Sequence, residues 1–287
     1  MGLSLGTAQW GAGYGLTNAI GRLDDATIAA IVRTAQSLGI ASVDTSRSPD
    51  AALGYGDAQS RLRPWAHDFA ITTKVHGADK AGIPIRAQLE TSLAELGVDR
   101  VDTVLVHDWS VLDRAQAAQA VDALAGLRDE GRMLRIGISA YDPHDLVLAA
   151  AHFEVLGAVQ LPANVLDQRF AGLPLVAELH AQGTRVQVRS VFLQGLLLAP
   201  DHPSELARHP DVRRFHEWCV ESGLSPLVAC LAHVRSLPWA DEVIVGVTSD
   251  DELAEIGWAW RARPPEADWE ELASQDAVLI DPRGWNR

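Results

Sequence analysis

In VDTSRSPDAALGYGDAQSRLRPWAHDFAITTKV, residues 43–75, two apolar runs each end on a charged side chain. The first closes on Asp44 and the second, FAITTKV, on Lys74. Downstream, DTVLVHDW (residues 102–109) delivers His107 at the end of a third such run. Tyr55 lies in the loop behind the first. Short apolar runs rich in β-branched residues read as buried strands. Parallel α/β folds collect their chemistry at the C-terminal strand ends and in the loops behind them. The four groups therefore form one candidate site, and the rest of the chain is its scaffold.

Helical periodicity flanks these strands. Upstream, Ile28, Ile31, Val32, Ala35 and Leu38 recur at helical spacing, with Asp24 or Asp25 to cap the helix and Gly39 to end it. Downstream, Pro84 opens a helix along Ile85, Leu89, Leu93 and Leu96, and Gly97 terminates it. A short helix is expected over 57–62, and longer ones over 115–129, 143–152, 173–182, 212–222, 226–236 and 250–260. Strands are expected over 3–5, 41–44, 69–75, 103–107, 134–138, 159–161, 186–190 and 243–246. They read as near-continuous apolar runs, as strands covered on both faces should. Strict alternation with no linker predicts an α/β fold, a single (β/α)8 TIM barrel occupying residues 1–287 as one domain. The opening glycines Gly11, Gly13 and Gly15 do not match the G-x-G-x-x-G dinucleotide fingerprint.

Composition narrows the partners. The 287 residues are 47% apolar and 22% charged, a globular balance. The net charge of −14, without any Lys/Arg-rich run, argues against nucleic acid or an anionic membrane as the main partner. Cys219 and Cys230 read as two buried thiols of a reduced protein. With no signal pattern and no long apolar run, a cytoplasmic monomer or small homo-oligomer is expected. No metal-ligand spacing, nucleophile elbow or Walker A sequence appears.

The four groups suit proton transfer. A phenol ionises near pH 10 and needs tuning to act as an acid or base near neutrality. A neighbouring ammonium stabilises its phenolate, and a carboxylate on the far side keeps that ammonium charged and oriented. A histidine opposite can hydrogen-bond a carbonyl oxygen. Asp44, Tyr55, Lys74 and His107 supply these parts for protonating a carbonyl as hydride arrives. Trp10 and Trp109 follow strands directly, which in a barrel places them at the mouth as an apolar substrate wall.

The chain also resembles the aldo/keto reductase superfamily over nearly its whole length. The resemblance rests on VDTSRSPDAALGYGDAQSRL, ITTKV, LETSLAELGVDRVDTVLVHDW and LRDEGRMLRIGIS, in the family's order. It implies a (β/α)8 barrel, NADP(H) or NAD(H) as cofactor and a small-molecule carbonyl substrate. It assigns Asp44, Lys74 and His107 the roles just argued. One departure stands out. The family's tyrosine place, five residues after Asp44, holds Pro49. The Y-G-D-A run begins instead at Tyr55, which implies an insert within Ser46–Gly54. Either the insert keeps Tyr55 in the tyrosine role, or it displaces Tyr55 and leaves a weakened enzyme.

Cofactor contacts follow from the same resemblance. Ser139 and Gln160 match positions that bind the nicotinamide carboxamide, while the family's asparagine after that serine is Ala140 here. Arg189 stands where many members stack a tyrosine on the nicotinamide, and a guanidinium can stack or pair with a phosphate. Ser190, Leu193 and Gly195 would line the pyrophosphate side. Gly246, Thr248, Ser249 and Glu255 would form the adenosine end. There Glu252 replaces an arginine common in NADPH users, and a carboxylate repels a 2′-phosphate. Two other readings stay open: a nucleotide-binding barrel that senses or scaffolds, and a lyase using Lys74 as a Schiff-base nucleophile.

Overall fold

Eight parallel strands close on themselves in chain order in the computed structural model, which describes residues 1–47, 55–77, 83–262 and 267–285. The strands are β1 (Gly2–Gly6), β2 (Ser42–Asp44), β3 (Ala70–Val75), β4 (Val101–Val106), β5 (Met133–Ser139), β6 (Ala158–Pro162), β7 (Arg185–Arg189) and β8 (Glu242–Gly246). The closing pair, β1 with β8, runs in register from Gly2 opposite Glu242 to Gly6 opposite Gly246. The fold is the expected (β/α)8 barrel.

Helices alternate with the strands: α1 (Ala8–Gly11), α2 (Asp25–Ser37), α3 (Ala58–Leu62), α4 (Ile85–Leu96), α5 (Arg114–Asp129), α6 (Pro143–His152) and α7 (Pro174–Ala181). Both α8 (Pro210–Ser222) and α9 (Pro226–Arg235) fall between β7 and β8, and α10 (Asp250–Arg261) and α11 (Ala277–Ile280) follow the barrel. Their ends have local causes. The Asp24 carboxylate accepts from the Thr27 amide at 2.8 Å and starts α2. Asp113 and Gln116 form a reciprocal capping box at α5. Gly97 ends α4 in the left-handed conformation, at φ 72°. The apolar stripe of α2, Ile28, Ile31, Val32 and Ala35, is buried against the barrel wall. The single turn α1 lies where the sequence shows only a glycine-rich loop.

The strands differ from the apolar runs expected of them at their inward positions. Hydrogen bonds between strands that are not neighbours must cross the barrel interior. Gln187 of β7 donates to Thr72 of β3 at 2.8 Å and to Glu242 of β8 at 2.7 Å. Gln160 of β6 donates to Asp44 of β2 at 2.7 Å and to Gln187 at 3.3 Å. The barrel lumen is therefore a hydrogen-bonded polar column, while the outward residues such as Val104, Val106, Val186 and Val188 pack in the hydrophobic core. Buried polar groups are tolerated when each finds a partner. The column rises toward the C-terminal strand ends and terminates at Asp44.

Candidate active site

Asp44 is the last residue of β2, Lys74 the penultimate residue of β3, and His107 directly follows β4. The parallel register gathers these ends on one side of the barrel. Asp44 and Lys74 are 3% and 4% exposed. Lys74 Nζ donates to Asp44 Oδ1 at 2.6 Å, and Gln160 Nε2 donates to the same oxygen at 2.7 Å. The other carboxylate oxygen, Oδ2, accepts the Tyr55 hydroxyl at 2.8 Å. Lys74 Nζ also reaches Tyr55 Oη at 3.1 Å and the Thr45 carbonyl at 3.3 Å. Aspartate, lysine and tyrosine thus close a triangle.

Tyr55 occupies this place despite the altered spacing. Pro49 and the rest of 48–54 lie outside the described residues. Tyr55 itself adopts φ 64°, a strained region for a residue with a Cβ. Neighbouring backbone holds it there. Its carbonyl accepts from the Ala58 amide at 2.8 Å, which begins α3. Gly11 of α1 packs directly on this carbonyl. Arg61 of α3 bonds the carbonyls of Trp10 and Leu23 and the carboxylate of Asp25, so α1, α2 and α3 are tied together next to Tyr55. The sequence marked Gly11 as part of a glycine-rich loop, but the contact that requires glycine was not visible in it.

Electrostatics favour a protonated tyrosine. Burial first, then the Asp44 charge, push the Tyr55 phenol well above its ordinary value. Burial pulls Lys74 below its ordinary value, opposed by its contact with Asp44. His107 is held down to about 3 by burial, with Lys74, His76 and Arg189 adding repulsion. It is neutral at physiological pH, so one ring nitrogen carries a proton to donate. His76 lies beside it, the ring centroids 5.7 Å apart, and its Nδ1 is 3.3 Å from Asp108 Oδ2. This His76–Asp108 pair was not legible in the sequence.

The residues expected to hold a cofactor are distributed along the same face. Ser139, paired in register with Gln160, has a buried hydroxyl with no hydrogen-bond partner among the described residues. Such an orphaned group is unusual, and a carboxamide would complete it. Gln160 turns its amide donors inward to Asp44 and Gln187. After β7, Ser190, Leu193, Gln194 and Gly195 have φ of 62°, 57° for Gln194, 47° for Leu193 and 89° for Gly195. Successive residues in unusual backbone regions can form a concavity of amides suited to an anion. At the start of α10, Ser249 caps the helix by accepting from the Glu252 amide at 3.2 Å. Glu252 in turn accepts from the Thr248 amide at 2.7 Å and hydroxyl at 3.0 Å. Gly246 packs against the Gln9 side chain, and Glu255 is exposed on α10.

The expected substrate wall is not an open surface. Trp10 is 0% and Trp109 2% exposed, both within the core. Trp109 packs on Phe153, centroids 5.5 Å apart. An aromatic that does face the site region is Tyr141, beyond β5. The Arg189 guanidinium lies over its ring at 4.1 Å and that of Arg283 at 3.9 Å. Among the described residues no group of three or more potential ligands is placed to hold a metal, and no helix is long and apolar enough to cross a membrane.

Comparison with known proteins fits this geometry. The model of the aldo/keto reductase family matches residues 2–277. An uncharacterised oxidoreductase of Bacillus subtilis is 32% identical over 179 residues, 60% of each chain. A methylglyoxal reductase of Escherichia coli O157:H7 is 30% identical over 148 residues, 51% of this chain and 54% of its own. The chain thus spans about 60% or less of the length of these curated relatives. Among solved structures, the holo form of an aldo-keto reductase from Bacillus halodurans superposes with a TM-score of 0.76 at 18% identity, covering 98% of this chain and 94% of its own. A glycerol dehydrogenase from Gluconobacter oxydans gives 0.70 at 17% identity, covering 94% and 89%. Those structural matches carry the barrel, and the family match over nearly the whole sequence carries the kinship: the chain belongs to the aldo/keto reductase family.

Proposed function

We propose that the protein reduces the carbonyl of a small aldehyde or ketone to an alcohol, using a nicotinamide dinucleotide, with Tyr55 as proton donor. The observation that carries this reading is the position of Tyr55 Oη, 2.8 Å from Asp44 and 3.1 Å from Lys74. The orphaned Ser139 hydroxyl and the left-handed run after β7 suit a bound dinucleotide. When bound and reduced, that group supplies a hydride to the carbonyl carbon. The carbonyl π electrons move to oxygen, and the Tyr55 proton follows them there. A developing alkoxide is far more basic than a phenolate, so the proton leaves Tyr55 even with its acidity lowered. The Lys74 ammonium then faces the phenolate, and Asp44 holds the ammonium in place. Neutral His107 donates a hydrogen bond that orients the carbonyl.

Glu252 supports NAD(H) over NADP(H). Its carboxylate already engages the Thr248 amide and hydroxyl and would repel a 2′-phosphate. The free, buried thiols Cys219 and Cys230 suit a reducing compartment such as the cytoplasm. The test is oxidation of NADH and NADPH against a panel of carbonyls, run beside Tyr55→Phe. Turnover by the wild type and its loss, by 100-fold or more, in Tyr55→Phe is expected. Full activity in Tyr55→Phe would remove the proton donor. Cofactor binding without turnover would favour the sensor reading instead.

A further inference from the structure

We infer that Arg189 anchors an anionic oxygen group, a carboxylate or phosphate, carried by the carbonyl substrate. The inference rests on the carbonyl-reduction reading for where the reacting carbonyl lies, and it adds the chemical class of the substrate.

Arg189 is the last residue of β7 and stands in register with Pro162, two residues past Gln160. Gln160 contacts Asp44, so the guanidinium belongs to the strand ends that hold the triangle. Its charge is felt at both Lys74 and His107. The side chain is fixed: one terminal nitrogen donates to the Ala140 carbonyl at 2.9 Å and the other to Ser190 Oγ at 3.3 Å. The Tyr141 ring supports it at 4.1 Å.

Charge balance singles it out. Lys74 faces Asp44, and Arg283 faces Asp281 at 2.6 Å. Arg169 faces Asp167 at 2.8 Å. Among the described residues, no carboxylate lies within ion-pair distance of Arg189. A guanidinium offers five N–H donors, and its hydrogen bonds to Ala140 and Ser190 use two. In a chain of net charge −14, a partly buried cation with no counterion among the described residues is not a by-product of composition. Holding it costs free energy that a bound anion would recover, and the planar fork matches carboxylate and phosphate oxygens in pairs. For a cofactor phosphate, the left-handed residues Leu193, Gln194 and Gly195 offer backbone amides of their own. The guanidinium, coupled to Lys74 and His107, is left for the group attached to the reacting carbonyl.

The experiment has a kinetic arm and a binding arm. In the first, kcat/KM is measured for 4-oxobutanoate against butanal, and for glyceraldehyde 3-phosphate against glyceraldehyde. The wild type is expected to favour at least one anionic member by tenfold or more. Arg189→Met should collapse that ratio, and Arg189→Lys should restore part of it. In the second, calorimetry follows 4-hydroxybutanoate and glycerol 3-phosphate binding to protein saturated with dinucleotide. Binding to the wild type and a tenfold weakening in Arg189→Met are expected.

The inference is overturned if neither anion binds and no ratio exceeds unity, or if the preference survives in Arg189→Met. It is also overturned if Arg189→Met loses tenfold in dinucleotide affinity while the substrate ratio stays intact, which would put the guanidinium on a cofactor phosphate. Anion binding through Arg189 with no carbonyl turned over would sink the reductase reading and leave the anchor standing.

Discussion

Gly11 and Tyr55 touch backbone to backbone. A Cβ built on Gly11 would overlap the Tyr55 carbonyl and come within 2.7 Å of the Asp57 amide. A Cβ on Gly56 would in turn meet the Gly11 carbonyl carbon at 3.0 Å. Only a residue without a side chain lets α1 press on the loop that presents the phenol. Gly11→Ala should therefore shift Tyr55 while the barrel stays folded. A fall in kcat of tenfold or more is expected, with a stability loss of about 1–3 kcal/mol. Steady-state kinetics beside a urea titration would check it; an unchanged kcat would show that the loop adapts.

Lys74→Met removes one partner of a buried ion pair. Asp44 would then be left with Gln160 and Tyr55 as its donors. Breaking such a pair destabilises by about 3–5 kcal/mol, because the remaining charge stays desolvated. Lys74→Met should lower the urea midpoint and abolish turnover. The double variant Lys74→Met/Asp44→Asn should recover stability without recovering activity.

Acid should unfold the protein through its neutral histidines. Burial holds His233 down to about 4, from an ordinary 6.5, and both its ring nitrogens lack hydrogen-bond partners among the described residues. The folded state resists protonation, whereas the unfolded chain accepts the proton below its own pKa. The stabilisation is complete above pH 6.5 and is lost as pH falls toward 4, worth roughly 3 kcal/mol for this one group. His107, held to about 3, adds a loss in the same direction. Urea midpoints measured from pH 7 to pH 4 should fall, and His233→Phe should flatten the slope. A slope unaltered by His233→Phe would count against this cause.

Glu252→Gln keeps the hydrogen-bonding shape at the start of α10 and removes the negative charge. The ratio of NADPH to NADH affinity, read by fluorescence titration, should rise about tenfold. An equal response of both dinucleotides would mean that Glu252 serves only to cap the helix.

The barrel and two members of the candidate site were legible in the sequence for a simple reason. Strand ends are marked locally: Asp44 and Lys74 break apolar runs, and a buried charge demands explanation. The register of parallel strands then brings them together without further information. Tyr55 was harder, because spacing in a loop does not report where the loop goes. Its placement depends on contacts with Gly11 and the tether through Arg61, which join distant segments. The stack of Arg189 and Arg283 on Tyr141 was invisible for the same reason, since no periodicity links β7, the second residue after β5 and the tail. The polar lumen was hidden by averaging. Single glutamines and threonines in strands such as RVQVR read as interruptions of an apolar run, not as one face of it.

The hydrogen bond from Gln160 to Asp44 spans 116 residues of sequence. Until β6 has joined the sheet opposite β2, the carboxylate lacks one of its donors and the triangle around Tyr55 is unsupported. The donor set of Asp44 is thus complete only when segments far apart in the chain have closed the ring. A chain opened between β2 and β6 would lose this donor to Asp44 and, on the proposed reaction, the setting of its proton donor along with its fold.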